Sequence, residues 1–321
     1  MKIGYYEENN YHTEILATFI EPFIYDIKNN KIEFTVYNSM DKSQWVDYYK
    51  KIYNFNLKQN EDILNDIDSL DKIIIGTSIN TNKFLDQLDD STKDKIKNKI
   101  FYICHLKEDL SKNDLTKTIV LSPLNLNNFN AYILPINNSY DLTFNKKKLI
   151  IGLIGRFKDD NRDLNDLIDL IKKNSNYNFC IYIFSRHEKF IPKQLFDIQK
   201  EHPSCLKIFL KKNTEYMIKF FKEIKFICPL SNKDSIYYQD RLTGLIPISY
   251  NFNIPCIIEK ELGRIYNIQN CIKYDKSLSE VFSQIYDISN EEYNSLVNNL
   301  KLEKESIIKK NNNILKEFLF R

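Results

Sequence analysis

Residues 149–157 read Leu-Ile-Ile-Gly-Leu-Ile-Gly-Arg-Phe (LIIGLIGRF). The uncharged apolar run Leu149–Ile154 predicts a fully buried strand. Gly155, directly after it, allows the backbone to turn sharply and to approach a ligand. Arg156 follows, and a planar guanidinium group suits the geometry of phosphate. The stretch therefore predicts one strand of a parallel sheet with an anion-binding loop at its carboxyl end.

The residues after this strand repeat a rhythm of strands and helices. Short apolar runs predict strands at Asn178–Phe184, Leu206–Leu210, Lys225–Cys228 and Pro255–Ile258. Helices are predicted at Asp163–Lys173 and Thr214–Glu223, in Asp240–Phe252 after a polar loop, and as one or two closing helices in Glu291–Leu319. This alternation is typical of a parallel sheet that is covered by helices.

The first half of the chain shows the same alternation. Strands are predicted at Lys2–Tyr6, Ile32–Tyr37, Lys72–Ile75, Ile100–Cys104 and Thr118–Leu121, with helices at His12–Ile27, Trp45–Ile52 and Lys83–Lys97. A polar linker is predicted at Asn137–Lys148. We therefore expect an α/β protein with two Rossmann-like domains, residues 1–143 and 144–300, and a terminal helix at 301–321 that packs back toward the first domain.

Composition excludes several classes of protein. The 321 residues include 43% hydrophobic residues, enough to build cores, which excludes a disordered chain. The formal net charge of +3 is too balanced for a protein that mainly grips a phosphate polymer, so no nucleic-acid partner is expected. No apolar run has the length of a membrane span, and no secretory leader is recognisable. These patterns predict a cytoplasmic protein without a transmembrane segment.

Arginine and cysteine are the informative minority residues. None of the six arginines precedes Arg156; they are Arg156, Arg162, Arg186, Arg241, Arg264 and Arg321, so any phosphate site is expected in the second half. The six cysteines show no CxxC pair and no histidine at zinc spacing, which favours buried thiols over structural zinc. No convincing Asp-x-Asp motif for a divalent metal follows a strand. We therefore expect neither a metal nor a cofactor.

A second candidate segment is Tyr237–Pro255, which reads YYQDRLTGLIPISYNFNIP. Pro247 fits the first turn of a helix, where its missing N–H costs nothing. The free amides near Thr243, Gly244 and Leu245 would then face an anion. An ordinary transition from loop to helix, capped by Asp240 or Thr243, is compatible with the same sequence.

The first segment also has an alternative interpretation. Instead of a diphosphate site at Arg156, Lys158 and Arg162, it could form a turn in which Arg156 pairs with Asp159, Asp160 or Asp163.

Together these features resemble the C-terminal half of a GT-B glycosyltransferase, a fold of two Rossmann-like domains facing a cleft. The resemblance is to the retaining "group 1" enzymes that use nucleotide sugars, and it covers roughly Leu149–Tyr274. It rests on the strand with GxxGR, the strand that ends at Pro229, and the polar loop into a helix closed by Asn253-Ile254-Pro255. The string Asp240–Pro247 also resembles a D-R-x-T-G-x-I-P motif of some eukaryotic and viral transferases.

The resemblance implies roles for particular residues. Arg156 matches the arginine that binds the donor diphosphate, and Arg162 occupies the place of a lysine with the same role. The loop that meets the phosphates and the donor sugar corresponds to Asp240–Gly244, with Arg241, Thr243 and Gly244 beside the donor and Gly155 in the first loop. The family carries two acidic residues across this helix. Asp240 matches the first, but the second position is Ile248, so the contact with the donor ribose is in doubt.

Two histidines of the first half are further candidates. His105 follows the strand Ile100–Cys104, and the resemblance implies a histidine there that contacts the donor sugar, although a lone histidine after an apolar strand is more often structural. His12, after the first strand, would lie in an acceptor-facing loop. We therefore expect His105 and Asp240 to orient the sugar.

The resemblance implies transfer of a hexose from a UDP- or GDP-sugar to a hydroxyl group of a glycan, a lipid-linked acceptor or a protein, without a metal. A non-catalytic protein of the same fold that binds a glycan or a partner is the alternative, and the missing second acid favours it. A nucleotide-sugar epimerase would need carboxylates for proton abstraction, and no convincing set is visible.

Overall fold

A computed structural model describes residues 1–8, 13–38, 44–76, 82–111, 113–138, 148–157 and 161–320 of the chain. Residue contacts divide the chain into two compact units. Unit 1 comprises Met1–Ser139 and Ile308–Arg321, and unit 2 comprises Tyr140–Ile307. The boundaries drawn from the sequence, after residues 143 and 300, differ from this division by a few residues. His12, Lys158, Asp159, Asp160 and most of the predicted linker lie outside the described residues.

Unit 1 contains a parallel sheet. Within the described residues it has seven strands in the order β3-β2-β1-β4-β5-β6-β7. The strands are β1 (Lys2–Glu7), β2 (Glu33–Asn38), β3 (Asn56–Lys58), β4 (Lys72–Ile75), β5 (Ile100–Cys104), β6 (Thr118–Val120) and β7 (Ala131–Tyr132). In the register, Ile3 lies opposite Phe34 on one side and Lys72 on the other. The predicted strands are confirmed, while β3 and β7 are additional edge strands.

The helices of unit 1 follow the prediction at Trp45–Ile52, but the other two predicted helices are each divided into shorter ones. They are α1 (Leu16–Ile20), α2 (Ile24–Lys28), α3 (Gln44–Ile52), α4 (Ile63–Asp66), α5 (Asn82–Asp86), α6 (Asp90–Ile96) and α7 (Lys107–Leu110). The single helix predicted up to Ile27 is interrupted by a 3₁₀ turn at Glu21–Phe23, because Pro22 has no N–H for the helical ladder. The helix predicted at Lys83–Lys97 is two helices, and the Asp89 carboxylate caps the second by accepting the N–H of Thr92.

Unit 2 contains a second parallel sheet, which includes the predicted strand Leu149–Ile154. Among the described residues its strands follow the order β10-β9-β8-β11, and a bridge between Ile227 and Cys256 continues to the pair β12-β13. They are β8 (Leu149–Ile154), β9 (Phe179–Ser185), β10 (Leu206–Leu210), β11 (Phe226–Ile227), β12 (Ile257–Glu259) and β13 (Ile272–Tyr274). The order runs outward from β8 in both directions, as in a Rossmann fold, so the crevice between β8 and β11 is its switch point.

Helices cover the sheet of unit 2. They are α8 (Leu164–Asn174), α9 (Lys193–Glu201), α10 (Thr214–Phe221), α11 (Leu245–Asn251), α12 (Lys260–Ile265) and α13 (Phe282–Asp287). The buried residues Leu167, Leu170 and Ile171 of α8 pack into the same core as Ile181 and Ile183 of β9. This packing holds the carboxyl end of β8 and the first turn of α8 in fixed positions.

The long helix α14 (Asn290–Phe320) begins in unit 2 and ends in unit 1. Within unit 2 the Glu303 carboxylate accepts hydrogen bonds from the Tyr250 hydroxyl and the amides of Gln269 and Asn270. Within unit 1 the Asn311 side chain donates to the carbonyl oxygen of Leu134. None of the helices in the described ranges combines the length and the hydropathy of a membrane span.

Candidate anion site of unit 2

The turn after β8 has the backbone shape that the sequence predicted. Gly155 has a φ of +115°, a region that residues with a Cβ rarely adopt. Its N–H donates to the Phe184 carbonyl at 2.9 Å, and the N–H of Phe157 donates to the Phe190 carbonyl at 2.9 Å. The loop after β8 is therefore tied to the end of β9 and to the loop that follows it.

Arg162 is the central residue of the site. Its side chain is buried, with 6% of its surface exposed, and it donates to the carbonyl oxygens of Ile154 at 3.2 Å and Arg156 at 3.4 Å. Its Nη1 has no hydrogen-bond partner, and no carboxylate of the described residues pairs with the guanidinium. Burial lowers the pKa of Arg162. A buried cation without a counter-charge is costly, so this arrangement is typical of a site that an anion completes.

Two aromatic rings flank this guanidinium. Its central carbon lies 5.6 Å from the ring centre of Tyr237 and 5.7 Å from that of Phe157. The backbone of Arg162 also forms a bridge with Ser231, which follows β11. The loops after β8 and β11 therefore meet at Arg162, at the switch point of the sheet.

The other two predicted phosphate-binding arginines have different surroundings. Arg156 is exposed, and its guanidinium lies 4.6 Å from the ring centre of Phe190, a distance suited to a cation–π contact. Arg241 is partly exposed and donates through Nε to Oδ1 of Asp240 at 3.1 Å. Asp240 is therefore held beside a cation.

The loop between β11 and α11 carries three buried hydroxyl groups that form no hydrogen bond with the described residues. The side-chain oxygens of Ser231, Ser235 and Thr243 are all buried and have no hydrogen-bond partner in the part of the chain that the structure describes. Leaving a buried hydroxyl unsatisfied costs about 1–3 kcal/mol, which a ligand oxygen would offset. Together with Nη1 of Arg162, these groups form a set of donors that the fold itself does not use.

The helix entry at Gly244 differs from the sequence prediction. Helix α11 begins at Leu245 rather than near Asp240, and Gly244 is its N-cap without a side-chain hydrogen bond. Thr243 is therefore not the cap, whereas Pro247 lies in the first turn as predicted. A Cβ at Gly244 would meet nothing within 4 Å, so the backbone there is open to an approaching group. Ile248 lies on this helix and supplies no carboxylate.

Two polar residues of unit 1 also concern the site prediction: His105, which the sequence indicated, and Glu7, which it did not. His105 directly follows β5 in unit 1 and is half-buried. Glu7, at the carboxyl end of β1, is 1% exposed, and a Cβ at Gly76 after β4 would collide with its carboxylate. This carboxylate occupies the switch point of the unit 1 sheet. The sequence signal that could have indicated Glu7 is an acidic residue at the carboxyl end of the first strand.

The described residues contain no group of three or more His, Cys, Asp or Glu side chains that could hold a metal ion. Glu259 is 4% exposed, but its Oε2 accepts the amides of Glu261 and Leu262 and the Tyr238 hydroxyl. That carboxylate therefore caps α12 and has a structural role.

Thr243→Val provides a direct test of the unused hydroxyls. Valine keeps the shape and removes a hydroxyl that has no partner, so the melting temperature is expected to stay level or rise. Thr18→Val is the matched control, because the Thr18 hydroxyl donates to Ile136 in a buried site and its loss should lower the melting temperature by a few degrees. Calorimetry of both variants measures this, and a lower melting temperature for Thr243→Val would assign its hydroxyl to the fold.

No protein-family model and no curated protein matches the sequence. Among solved structures, a glycosyltransferase from Rickettsia africae ESF-5 has a TM-score of 0.69 at 12% identity, covering 99% of this chain and 98% of that one. Anabaena Alr3699/HepE, solved with UDP and glucose, has a TM-score of 0.67 at 10% identity, covering 99% of both chains. The chain has the GT-B fold.

A third GT-B structure is an α-glucosyltransferase in complex with UDP and a DNA 13-mer. It has a TM-score of 0.56 at 14% identity, with 100% of this chain and 95% of that chain covered. The α/β architecture with two Rossmann-like domains, which the sequence predicted, is therefore confirmed. At these identities the likeness establishes the GT-B fold alone.

Proposed function

We propose that this GT-B protein is a glycosyltransferase that moves a sugar from a nucleoside diphosphate sugar to a hydroxyl acceptor. The observation that carries the proposal is Arg162, a buried guanidinium at the switch point of unit 2 that has no counter-charge among the described residues. Structural neighbours that were solved with UDP support a nucleotide as the ligand. The donor is a UDP- or GDP-hexose, and the acceptor hydroxyl belongs to a glycan, a lipid-linked acceptor or a protein.

The chemistry requires a good site for the leaving diphosphate. Negative charge accumulates on this group as the glycosidic bond breaks, so donors that hold it more tightly at that moment lower the barrier. Arg162 and Arg156 supply positive charge, and the hydroxyl of Thr243 supplies a donor that breaks no existing bond. Because the fold holds these groups in place before the ligand binds, little reorganisation is needed on binding.

The remaining parts of the proposal concern orientation and outcome. His105 and Asp240 orient the donor sugar, and Gly155 and Gly244 allow the diphosphate to approach the backbone. The reaction proceeds without a metal and with retention at the anomeric carbon, in a cytoplasmic protein that has no nucleic-acid partner. Retention follows from the family resemblance, and the absence of a metal follows from that resemblance and from the lack of a convincing Asp-x-Asp motif. The other two points follow from the charge and the hydropathy of the sequence.

Calorimetric titration with UDP, GDP, ADP and TDP tests the proposal. We expect one nucleoside diphosphate to bind at a single site with a Kd on the order of micromolar, and its sugar conjugate to be slowly hydrolysed in the protein's presence. Binding of none of the four would contradict the proposal. It would favour a non-catalytic GT-B protein that binds a glycan or a partner, a candidate supported by Ile248 at the second acidic position.

A further inference from the structure

A partly exposed apolar surface lies at one edge of the sheet in unit 2. Strand β10 pairs with β9 on one side and with no described strand on the other. Only Leu206 of this strand is buried, whereas the strands of parallel sheets are usually buried throughout. Helix α10, which follows β10, buries only Thr214 and Phe221. Residues 206–223, here called the β10–α10 surface, leave partly exposed apolar side chains that include Ile208, Phe209, Leu210, Tyr216, Met217 and Phe220.

Three aromatic rings of this surface contact one another. The ring centre of Phe220 lies 4.8 Å from that of Phe209 and 4.7 Å from that of Tyr216. Phe209 also stacks on the buried Phe184 of β9, with 4.9 Å between the ring centres. The rings are therefore held in place by the core beneath them, and side chains that are already ordered lose little conformational entropy when they bind a partner.

The β10–α10 surface also carries the excess charge of the protein. Its 206–223 segment contains two glutamates and five lysines, and the lysines are all exposed: Lys207, Lys211, Lys212, Lys219 and Lys222. This excess of three positive charges equals the formal net charge of the whole chain, so the remaining residues are balanced. None of these five lysines forms an ion pair with a carboxylate of the described residues.

Two of the lysines lie directly beside aromatic rings. Nζ of Lys207 is 5.6 Å from the ring centre of Tyr182, and Nζ of Lys212 is 4.6 Å from that of Tyr216. Positive charge and apolar area are therefore interleaved on one surface. A partner that matches both must offer negative charge directly above an apolar layer.

We propose that the β10–α10 surface binds a membrane that contains anionic phospholipids. The ammonium groups of the lysines would meet the phosphate headgroups while their stems, the rings and the aliphatic side chains enter the boundary with the acyl chains. Ile208 and Leu210 suit acyl chains better than nucleotide bases, and the segment has no arginine for phosphate or base contacts, so a lipid is favoured over a nucleic acid. The inference does not depend on the proposed function.

The test is sedimentation of the native protein with vesicles of phosphatidylcholine, either alone or with about 30% phosphatidylglycerol. We expect binding to the anionic vesicles only, and weaker binding when NaCl is raised from about 0.05 M to about 0.5 M, because salt screens the lysines. Removal of three charges by Lys211→Gln/Lys219→Gln/Lys222→Gln should weaken binding about tenfold or more.

The matched control is Lys172→Gln/Lys260→Gln/Lys276→Gln, which removes the same charge from exposed positions elsewhere in unit 2. It should weaken vesicle binding by less than about threefold. Tyr216→Gln tests the apolar contribution and should weaken binding about fivefold. Its melting temperature is expected to stay within a few degrees of the native value, because Tyr216 is only partly buried.

Three results with vesicles would overturn the inference: no binding to anionic vesicles, equal binding to neutral vesicles, or equal weakening by the two lysine triples. Two other results would reassign the surface. A dimer that Tyr216→Gln dissociates, in a protein that binds no vesicles, would assign the surface to a second copy of this chain. An oligonucleotide that binds where vesicles do not would assign it to a nucleic acid. Since neither donor nor acceptor is present, failure of the proposed function leaves these readouts unchanged.

Discussion

Replacement of Arg162 by methionine is expected to lower glycosyl transfer, or hydrolysis of the donor, roughly 100-fold or more. The guanidinium is the buried cation at the switch point, and methionine fills a similar volume without charge. The melting temperature is expected to stay within about 3 °C of the native value or to rise, because two carbonyl hydrogen bonds are lost while an uncompensated buried charge is removed. Steady-state kinetics and calorimetry measure the two quantities.

The combination of the two results is what identifies the role of Arg162. Replacing an arginine that has a structural role would lower both the stability and the activity of the protein, whereas replacing a ligand-binding arginine lowers the activity alone. Arg264→Met is the control, because Arg264 pairs with Glu261 on the surface of α12 and should affect neither quantity. Near-native turnover in Arg162→Met would contradict the proposed diphosphate site.

Arg156→Ala is expected to reduce turnover about 100-fold or more, with a melting temperature within a few degrees of the native value. The side chain is exposed and contacts the face of Phe190, so little core packing depends on it. Its charge would instead stabilise the departing diphosphate. Kinetics with the donor identified by the nucleotide titrations provide the measurement.

Arg156→Lys refines this prediction. Lysine keeps the charge but lacks the planar fork that holds a diphosphate at two oxygens, so an intermediate loss of turnover is expected. Arg186→Ala, at an exposed arginine after β9, is the control and should retain native turnover. If Arg156→Ala also retains it, the loop after β8 does not bind the diphosphate.

The central strands of both sheets could be predicted from the sequence. Runs such as LIIGLI are long, apolar and β-branched, so burial on both faces leaves a clear signal. The edge strands β3, β7 and β13 have two or three residues, too few to show a period of two. Helix α9 was missed although Pro192 marks its start and the buried residues Leu195 and Ile198 have helical spacing. These signals would have located it.

The candidate site was only partly accessible to sequence analysis. An arginine after a strand with GxxG predicts a phosphate site, since chain order alone places it at the carboxyl edge of the sheet. Whether a hydroxyl finds a partner depends on atoms distant in sequence, so the unsatisfied Ser231 and Thr243 could not be predicted.

Helix α14 has a consequence for how the protein is made. Residues 308–321 belong to unit 1 although they are synthesised after all of unit 2, and Leu315, Phe318 and Leu319 are buried. The amino-terminal sheet therefore lacks these apolar side chains during synthesis until residues 308–321 have been translated. Loss of this segment through a premature stop codon would damage the half of the protein that was translated first.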